Sequence, residues 1–591
     1  MDMELLSGNE AIAEGVWEAG CSIGVGYPGT PSTETLEALV HHNEVHCEWA
    51  PNEKVALEVG IGAAIGGVRA LVTMKHVGVN VAADPLMSVC NTGVNGGLVI
   101  LAADDPSCYS SQNEQDSRFY ADFARIPCLE PSDSQEAYEL ARQSFDLSER
   151  FDVPVMLHET MRIAHTRTVT RCEGVRHAAD PRAFENDIKK YVMMPANAVT
   201  RRSVADERTD KLIEFAETTD LNQEEMRDTS VGIICAGAVY QHVREALPQA
   251  STLKLGLTWP LPPERIRAFA QKVDTCYVVE EASEYLALRV RAMGVKLSEP
   301  PAHPLPRGGE LKPSVIRSAF GEEALPSAPV EQDLPPRPPA FCPGCPHRLV
   351  FCELRRMKAI VMGDIGCYTL GAVAPYGAEH AVIDMGASLS MAHGMELAGT
   401  PEREGRPVVG VIGDSTFAHS GITSLLGTVY NGGTGTLCIL DNRTTAMTGT
   451  QGNPVNGVTL SDSTRGKSAL DNPSGVALNL EALCRAMGIS DVATVDAQDL
   501  EAVRSALKEA TSHPERLSVI VFKAPCRLID RSTEKPPTIH DCRACGVCIQ
   551  IGCPALGRDA EGHATIDPTM CVGCDQCIQS CPFGCIQKDG E

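Results

Sequence analysis

The chain reads as an α/β protein, with three parallel-sheet α/β segments followed by a small cysteine-rich domain at the C-terminus. Three observations predict this. Short β-branched runs recur with glycine-rich turns and helical intervals between them, the alternation that builds parallel sheets. Proline-rich stretches interrupt it at Pro335-Pro336-Arg337-Pro338-Pro339, within 326–343, and at Lys535-Pro536-Pro537. Nine of the 24 cysteines fall between Cys542 and Cys585.

The first segment, 1–165, carries strand-like runs at Leu71-Val72-Thr73, Leu98-Val99-Ile100-Leu101 and Val153-Pro154-Val155-Met156-Leu157. Residues 166–228 are polar and poor in strong strands, and read as a connector with helices. A second α/β segment, 229–320, begins at Val231-Gly232-Ile233-Ile234-Cys235 and includes Cys276-Tyr277-Val278-Val279-Glu280. Residues 321–340 form a stiff, extended linker. The third segment, 341–530, has strands at Val408–Ile412, Leu437–Leu440 and Val519–Phe522, and the tail is 538–591.

At roughly 100–200 residues per domain, 591 residues suit about three to five units. A hydrophobic fraction of 43% with 22% charged residues excludes disorder of the whole chain. The net charge, 51 − 77 = −26, argues against nucleic acid or an anionic membrane as the main partner. Met1-Asp2-Met3-Glu4 is acidic with no apolar core behind it, and no uncharged stretch reaches about 18 apolar residues. The expectation is a cytoplasmic protein without membrane or nucleic-acid partners.

Without a secretory signal, clustered thiols read as metal ligands rather than disulfides. The tail contains Cys542-x2-Cys545-x2-Cys548-x4-Cys553-Pro554 and then Cys571-x2-Cys574-x2-Cys577-x3-Cys581-Pro582. Three thiolates on one tight loop grip three irons of a cubane, and a distant fourth completes it. The tail resembles two-cluster ferredoxins, in which the fourth cysteine comes from the other repeat. That resemblance implies one 4Fe–4S cluster on Cys542, Cys545, Cys548 and Cys581, and another on Cys571, Cys574, Cys577 and Cys553. The x4 spacing of the first repeat departs from the usual x3. A pair of zinc knuckles is the competing reading, against which two consecutive triplets each followed by Cys-Pro weigh heavily. Cys585 is left for packing.

In the third segment Gly413-Asp414-Ser415 ends one strand and Asp441-Asn442 the next, at the carboxyl ends where open sheets bind ligands. A carboxylate, an amide carbonyl and a backbone carbonyl near Thr444 are hard oxygen donors, which Mg²⁺ shares with phosphates. Here the chain resembles the diphosphate-binding domain of thiamine diphosphate enzymes, whose pattern is Gly-Asp-Gly followed by Asn-Asn. Ser415 and Asp441 are departures that spare Asp414 and Asn442. The resemblance implies cofactor contacts at Gly386, Ser388, Gly413, Asp414, Ser415, Asn442 and Thr444, with Mg²⁺ on Asp414, Asn442 and Thr444. It also implies a pyrimidine-binding domain, 1–165, whose glutamate helps the cofactor lose a proton. Glu53, in Asn52-Glu53-Lys54-Val55-Ala56, is that candidate and Glu58 its substitute. The alternative is a solvated carboxylate at a helix start.

A ferredoxin tail beside thiamine chemistry points to 2-oxoacid:ferredoxin oxidoreductases. Tyr27-Pro28-Gly29-Thr30-Pro31-Ser32 resembles that superfamily's substrate loop, which makes Thr30 a candidate. With Cys342-Pro343-Gly344-Cys345-Pro346-His347-Arg348 and the tail, the whole chain resembles the large (alpha) subunit family of indolepyruvate:ferredoxin oxidoreductase. The resemblance implies a transketolase C-terminal-like domain at 229–320, coenzyme A as co-substrate, ferredoxin as acceptor, and aryl-acetyl-CoA and CO2 as products. It also implies a smaller beta subunit carrying a domain not found here, in a heterodimer or a dimer of heterodimers. Small-acid relatives carry an arginine clamp for the substrate carboxylate. Gln112 stands in its place in Ser111-Gln112-Asn113-Glu114-Gln115-Asp116, with Arg118 available to compensate. His76, after the Leu71–Met74 strand, either binds the oxo acid or shuttles protons, or is a hydrogen-bonded loop histidine. His393 and His419 read as structural. Cysteines 342, 345, 367 and 526 resemble the cofactor-proximal 4Fe–4S site of small-acid relatives; a tight C-x2-C turn or a zinc site using His347 is the alternative. Other function classes are a non-oxidative thiamine decarboxylase, disfavoured by the tail, and a non-catalytic electron-transfer subunit, disfavoured by the paired Glu53 and Asp414/Asn442 motifs.

Overall fold

The computed structural model describes residues 2–184, 186–323, 338–399 and 405–588. Most of the expected proline-rich linker, including Pro335 and Pro336, lies outside the described residues. The chain forms two compact units, residues 1–331 and 332–591.

In the first unit the strands are β1 (Asp2–Leu6), β2 (Ile23–Gly26), β3 (His46–Trp49), β4 (Ala70–Lys75), β5 (Leu98–Asp104), β6 (Cys128–Leu129), β7 (Val155–Thr160), β8 (Thr168–Cys172), β9 (Asn222–Glu225), β10 (Asp228–Ala236), β11 (Ala250–Leu255), β12 (Leu257–Trp259) and β13 (Thr275–Val278). A seven-stranded sheet runs in the order β12-β6-β7-β5-β4-β2-β3. It is parallel except for β12, which pairs antiparallel with β6. All seven residues of β5 are buried, as a central strand covered on both faces requires. A four-stranded sheet, β13-β10-β11-β9, carries the second α/β segment. Along β10, Ile234 and Ala236 enter one core while Ile233 and Cys235 enter the other. That period of two explains the continuous apolar run.

Two features depart from the expected layout. The connector is not only helical: β8 pairs antiparallel with β1, and β9 pairs antiparallel with β11. It also holds the short helix Ile188–Tyr191 and the 24-residue helix Pro195–Thr218. The second segment also lends β12 to the first sheet, so the two segments share one sheet edge. The pattern Asn-Gln-Glu-Glu of β9 has no strand-like alternation, and tertiary pairing overrides its weak propensity.

The second unit adds β14 (Ile360–Met362), β15 (Glu379–Ala381), β16 (Val408–Gly413), β17 (Gly435–Asp441), β18 (Asp491–Asp496) and β19 (Leu517–Lys523), in a parallel sheet ordered β15-β14-β16-β17-β19-β18. Along β17, Leu437 and Ile439 face one core, and Cys438 and Leu440 the other. The tail holds two antiparallel ribbons, β20 (Thr538–Ile539) with β23 (Ile586–Gln587), and β21 (Leu556–Arg558) with β22 (Ala564–Ile566). It packs on the same unit: the Tyr376 hydroxyl donates to the Ile551 carbonyl at 2.7 Å. No helix among the described residues is long and apolar enough to cross a membrane.

Candidate active site and electron-transfer sites

In the first unit, Asn52 caps the helix Glu53–Ile65 by accepting from the Val55 N–H at 2.9 Å. Glu53 is therefore the first helical residue, and it is buried, 5% exposed. It lies against the helix His76–Val81, where a Cβ on Gly78 would come within 2.7 Å of Glu53 Cγ and Oε1. Glu58 is exposed and ion-paired to Lys54, so the two carboxylates part company: one is enclosed, the other is surface. Lys75 and His76 lie at the carboxyl end of β4. His76 Nε2 is 3.2 Å from the Asn113 carbonyl, its Nδ1 is buried without a partner, and burial lowers its pKa, keeping the ring neutral.

Lys75 carried no role in the sequence. It is 8% exposed, donates to the Ser110 carbonyl at 2.7 Å, and stands beside Gly29 of the Thr30 loop. Burial pushes its pKa down to about 8 against the nearby Asp105, Cys108 and Glu53. Thr30 is half-buried, and its loop is pinned by Ser32 Oγ on the Gly29 carbonyl and by the Gly29 N–H on Thr33 Oγ1, both 2.9 Å. Gln112 is exposed. Arg118 does not compensate for it: the guanidinium is fully enclosed, bidentate to Asp116 at 2.8 and 2.7 Å, with Glu280 at 3.6 Å and Glu130 at 3.9 Å.

In the second unit, Asp414 begins a helical run at the end of β16 and is buried. Its Oδ1 accepts from the Ser415 N–H at 2.8 Å, while Oδ2 has no partner. Burial, then the neighbouring Asp441 carboxylate, raises its pKa well above the ordinary range. Arg443 and Lys523 offset part of this charge, both standing 4.0 Å from Asp441, and a bound Mg²⁺ would meet the oxygen they leave without a hydrogen bond. Asn442 and Thr444 are buried beside it, the Thr444 N–H donating to Asn442 Oδ1 at 3.2 Å.

Asp364, a second residue without a role in the sequence, accepts from the Gly386 N–H at 2.9 and 2.8 Å and from Ser388 at 3.4 Å. It shapes the Gly386–Ser388 turn that opens the helix Ser388–Ala398, where Gly386 has φ +92°. The buried Ser388 Oγ is left without a partner, a donor a phosphate would accept from. A Gly-Asp pair alone gave no means of telling this loop-shaping role from a turn. His393 and His419 lie in the helical segments that follow the Ser388 and Asp414 helix starts.

The four cysteines 342, 345, 367 and 526 share one neighbourhood. Burial, then the Cys342 and Cys367 thiols, pushes Cys345 up to about 12, and burial with Cys526 and Cys342 pushes Cys367 to about 11. Thiols that raise one another would be held as thiolates by a bound cation. The Cys526 N–H donates to the Asn442 carbonyl at 2.9 Å, so this quartet adjoins the presumed Mg²⁺ side chain. His347 Nε2 meets Asn442 Nδ2 at 3.4 Å, and burial lowers its pKa to about 4, keeping the ring neutral. In the tail, Cys548 neighbours Cys581, Cys542 and Cys545, while Cys577 neighbours Cys574, Cys571 and Cys553. Cys585 packs against them, its N–H donating to Cys581 Sγ at 3.2 Å.

Comparison with known proteins agrees with this architecture. The "Pyruvate flavodoxin/ferredoxin oxidoreductase, thiamine diP-bdg" family matches residues 14–230, the "Thiamine pyrophosphate enzyme, C-terminal TPP binding domain" family residues 364–522, and a "4Fe-4S binding domain" residues 564–587. The fold and site thus define a thiamine diphosphate-dependent 2-oxoacid:ferredoxin oxidoreductase. The chain is 37% identical to "Indolepyruvate oxidoreductase subunit IorA" of Methanothermobacter marburgensis, over 100% of this chain and 98% of that one. Against the subunit of the same name from Thermococcus kodakarensis it is 37% identical, over 99% and 97%. A more distant relative is "2-oxoglutarate synthase subunit KorA" of Methanothermobacter thermautotrophicus, 25% identical over 52% of this chain and 94% of that one. The chain belongs to the indolepyruvate oxidoreductase IorA family.

Proposed function

We propose that the chain catalyses ferredoxin-dependent oxidative decarboxylation of aryl 2-oxo acids, indolepyruvate and its relatives, to aryl-acetyl-CoA and CO2. It does so with a smaller beta subunit, as a heterodimer or a dimer of heterodimers, and in the cytoplasm. The observation that carries the aryl reading is the 105–118 loop. Gln112 stands where small-acid relatives carry the clamp and Arg118 is engaged by carboxylates, so neither offers a guanidinium to a small charged substrate.

Thiamine diphosphate, when bound, supplies the nucleophilic carbon and the electron sink for decarboxylation. The chain's own residues do the rest. Glu53, enclosed at a helix start, exchanges a proton with the cofactor's aminopyrimidine. Asp414, Asn442 and Thr444 hold Mg²⁺, and the Gly386–Ser388 turn with Gly413 and Ser415 receives the diphosphate. Lys75, beside Thr30, meets the substrate carboxylate, and His76 stays neutral to accept or donate a hydrogen bond near the oxo group. Cys342, Cys345, Cys367 and Cys526 would hold one 4Fe–4S cluster, and Cys571, Cys574, Cys577 and Cys553 with Cys542, Cys545, Cys548 and Cys581 two more, which would supply one-electron acceptors.

The test is an anaerobic substrate panel on the co-expressed complex with coenzyme A and a viologen acceptor. Indolepyruvate and phenylpyruvate are expected to lead pyruvate and 2-oxoglutarate by at least about tenfold in kcat/KM, or about 1.4 kcal/mol. Preference for either small acid would overturn the aryl reading.

A further inference from the structure

Arg348 is fully buried, 0% exposed, on the helix His347–Arg356 directly after the Cys342–Cys345 turn. Its Nη2 donates to the carbonyls of Phe341 at 3.0 Å and Cys342 at 2.5 Å, while its Nε and Nη1 have no hydrogen-bond partner. A guanidinium cannot shed its proton to escape burial, so an enclosed one without an anion is strongly disfavoured. The groups its charge reaches include three thiols, Cys345 of the first quartet, Cys574 of the tail and Cys352 on its own helix, as well as the Tyr376 phenol.

The two cysteine groups are also tied together at this point. Gln576, beside Cys577, donates through Nε2 to the Cys345 carbonyl at 3.0 Å and to Gln498 Oε1 at 2.6 Å. Gly344, at φ +72°, lets the Cys342–Cys345 turn approach Val572, which a Cβ would meet at 2.7 Å. A cubane on four thiolates carries net negative charge that grows by one on reduction, and nearby charge sets its potential.

We propose that Arg348 is a built-in counter-cation shared by the cluster on Cys342, Cys345, Cys367 and Cys526 and the tail cluster on Cys553, Cys571, Cys574 and Cys577. It raises the readiness of both to accept an electron and so links them as successive stations. The proposal rests on the cluster reading of the preceding subsection. Arg348 is a positioning residue, acting through the clusters rather than on the substrate.

The experiment compares anaerobic holoenzymes of wild type, R348Q, R348K and C352D at matched iron content, by redox titration monitored with electron paramagnetic resonance. In R348Q the reduced-to-oxidised ratio at a fixed potential is expected to fall about tenfold at both clusters. For a one-electron couple that is a shift of about 59 mV to more negative potential. R348K, which keeps a cation, restores most of the ratio. C352D leaves the guanidinium in place but offers it a carboxylate, and moves the ratio in the same direction; it decides the matter if R348Q does not accumulate. Unchanged ratios in iron-replete R348Q or C352D overturn the proposal while leaving the clusters standing. Wild type with only about eight irons per chain, two cubanes' worth, overturns it by removing the cluster on which it rests.

Discussion

Arg118 in the first unit and Arg348 in the second are both shut away from water, but their surroundings are opposite. Arg118 is gripped by Asp116, with Glu130 and Glu280 close by, and His158 bridges Asp104 at 2.8 Å and Glu130 at 3.5 Å. The carboxylates raise the pKa of both Arg118 and His158 although burial opposes it. That network supplies its own counter-charges. In the second unit Arg348 has two nitrogens and Asp414 one oxygen without a hydrogen-bond partner, although the Arg443 charge reaches Asp414. Arg118 and Arg348 thus differ in what meets the buried guanidinium, carboxylates in one case and backbone carbonyls in the other. The distinction separates residues of the same type and burial, which composition cannot do.

The largest expected effect tests the enclosed carboxylate of the first unit. Glu53→Gln should keep the fold and cofactor binding but lower turnover about 10²–10⁴-fold, since an amide cannot exchange the proton. Pre-steady-state decarboxylation kinetics with cofactor occupancy checks this, and near-normal turnover would remove Glu53 from the chemistry.

Asp414→Asn probes the open charge directly. Magnesium-dependent cofactor affinity, followed by calorimetry, should fall about a hundredfold, or about 2.7 kcal/mol. The apoprotein should become more heat-stable at pH 7. The folded pKa of Asp414 lies above its unfolded value, so ionising it costs folding energy as pH rises through the carboxylate range. A destabilised apo variant would mean the orphaned oxygen has a partner after all.

Arg118→Met should behave in the opposite way, unfolding the first unit about 3–5 kcal/mol more easily because it strands buried carboxylates. Turnover per folded molecule should change little. Denaturant melts alongside activity per bound cofactor would expose any catalytic part for Arg118.

Lys75 sits between these cases. If its ammonium receives the substrate carboxylate, kcat/KM should fall about tenfold per pH unit above pH about 8, and Lys75→Met should abolish that limb. Stability should move the other way. The folded pKa lies below the unfolded one, so the unfolded chain holds more protons and stability from this group rises between about pH 8 and 10.5. A flat pH profile would dissociate Lys75 from the substrate. The smallest effect belongs to Glu58→Gln, an exposed pair worth about 0.5 kcal/mol or less, with turnover unchanged.

Much of this was legible in the sequence because the chemistry requires particular residues at fixed spacings. The cysteine triplets, Asp414 with Asn442, and Glu53 after its Asn52 cap are local motifs; Asp414 and Asn442 follow the ends of β16 and β17, and Glu53 opens a helix. Lys75, Asp364 and Arg348 were not legible. Nothing in Met-Lys-His, Gly-Asp-Ile or Pro-His-Arg separates an enclosed side chain from a solvated one, since burial depends on which elements pack above it. The expectation that Arg118 replaces a missing clamp failed for the same reason: its carboxylate neighbours at 116, 130 and 280 are scattered along the chain. Strands β9 and β12 were missed because their pairing, not their composition, makes them strands.

The edge of the seven-stranded sheet has a consequence in time. β6 is completed by β12, with Thr258 Oγ1 donating to the Cys128 carbonyl across 130 residues of sequence. A chain emerging from the ribosome at about 5–20 residues per second exposes that edge for about 6–26 s before its partner is made. The nascent first sheet is therefore an incomplete template for that interval, and the order of synthesis, rather than the final contacts, sets when it ceases to be one.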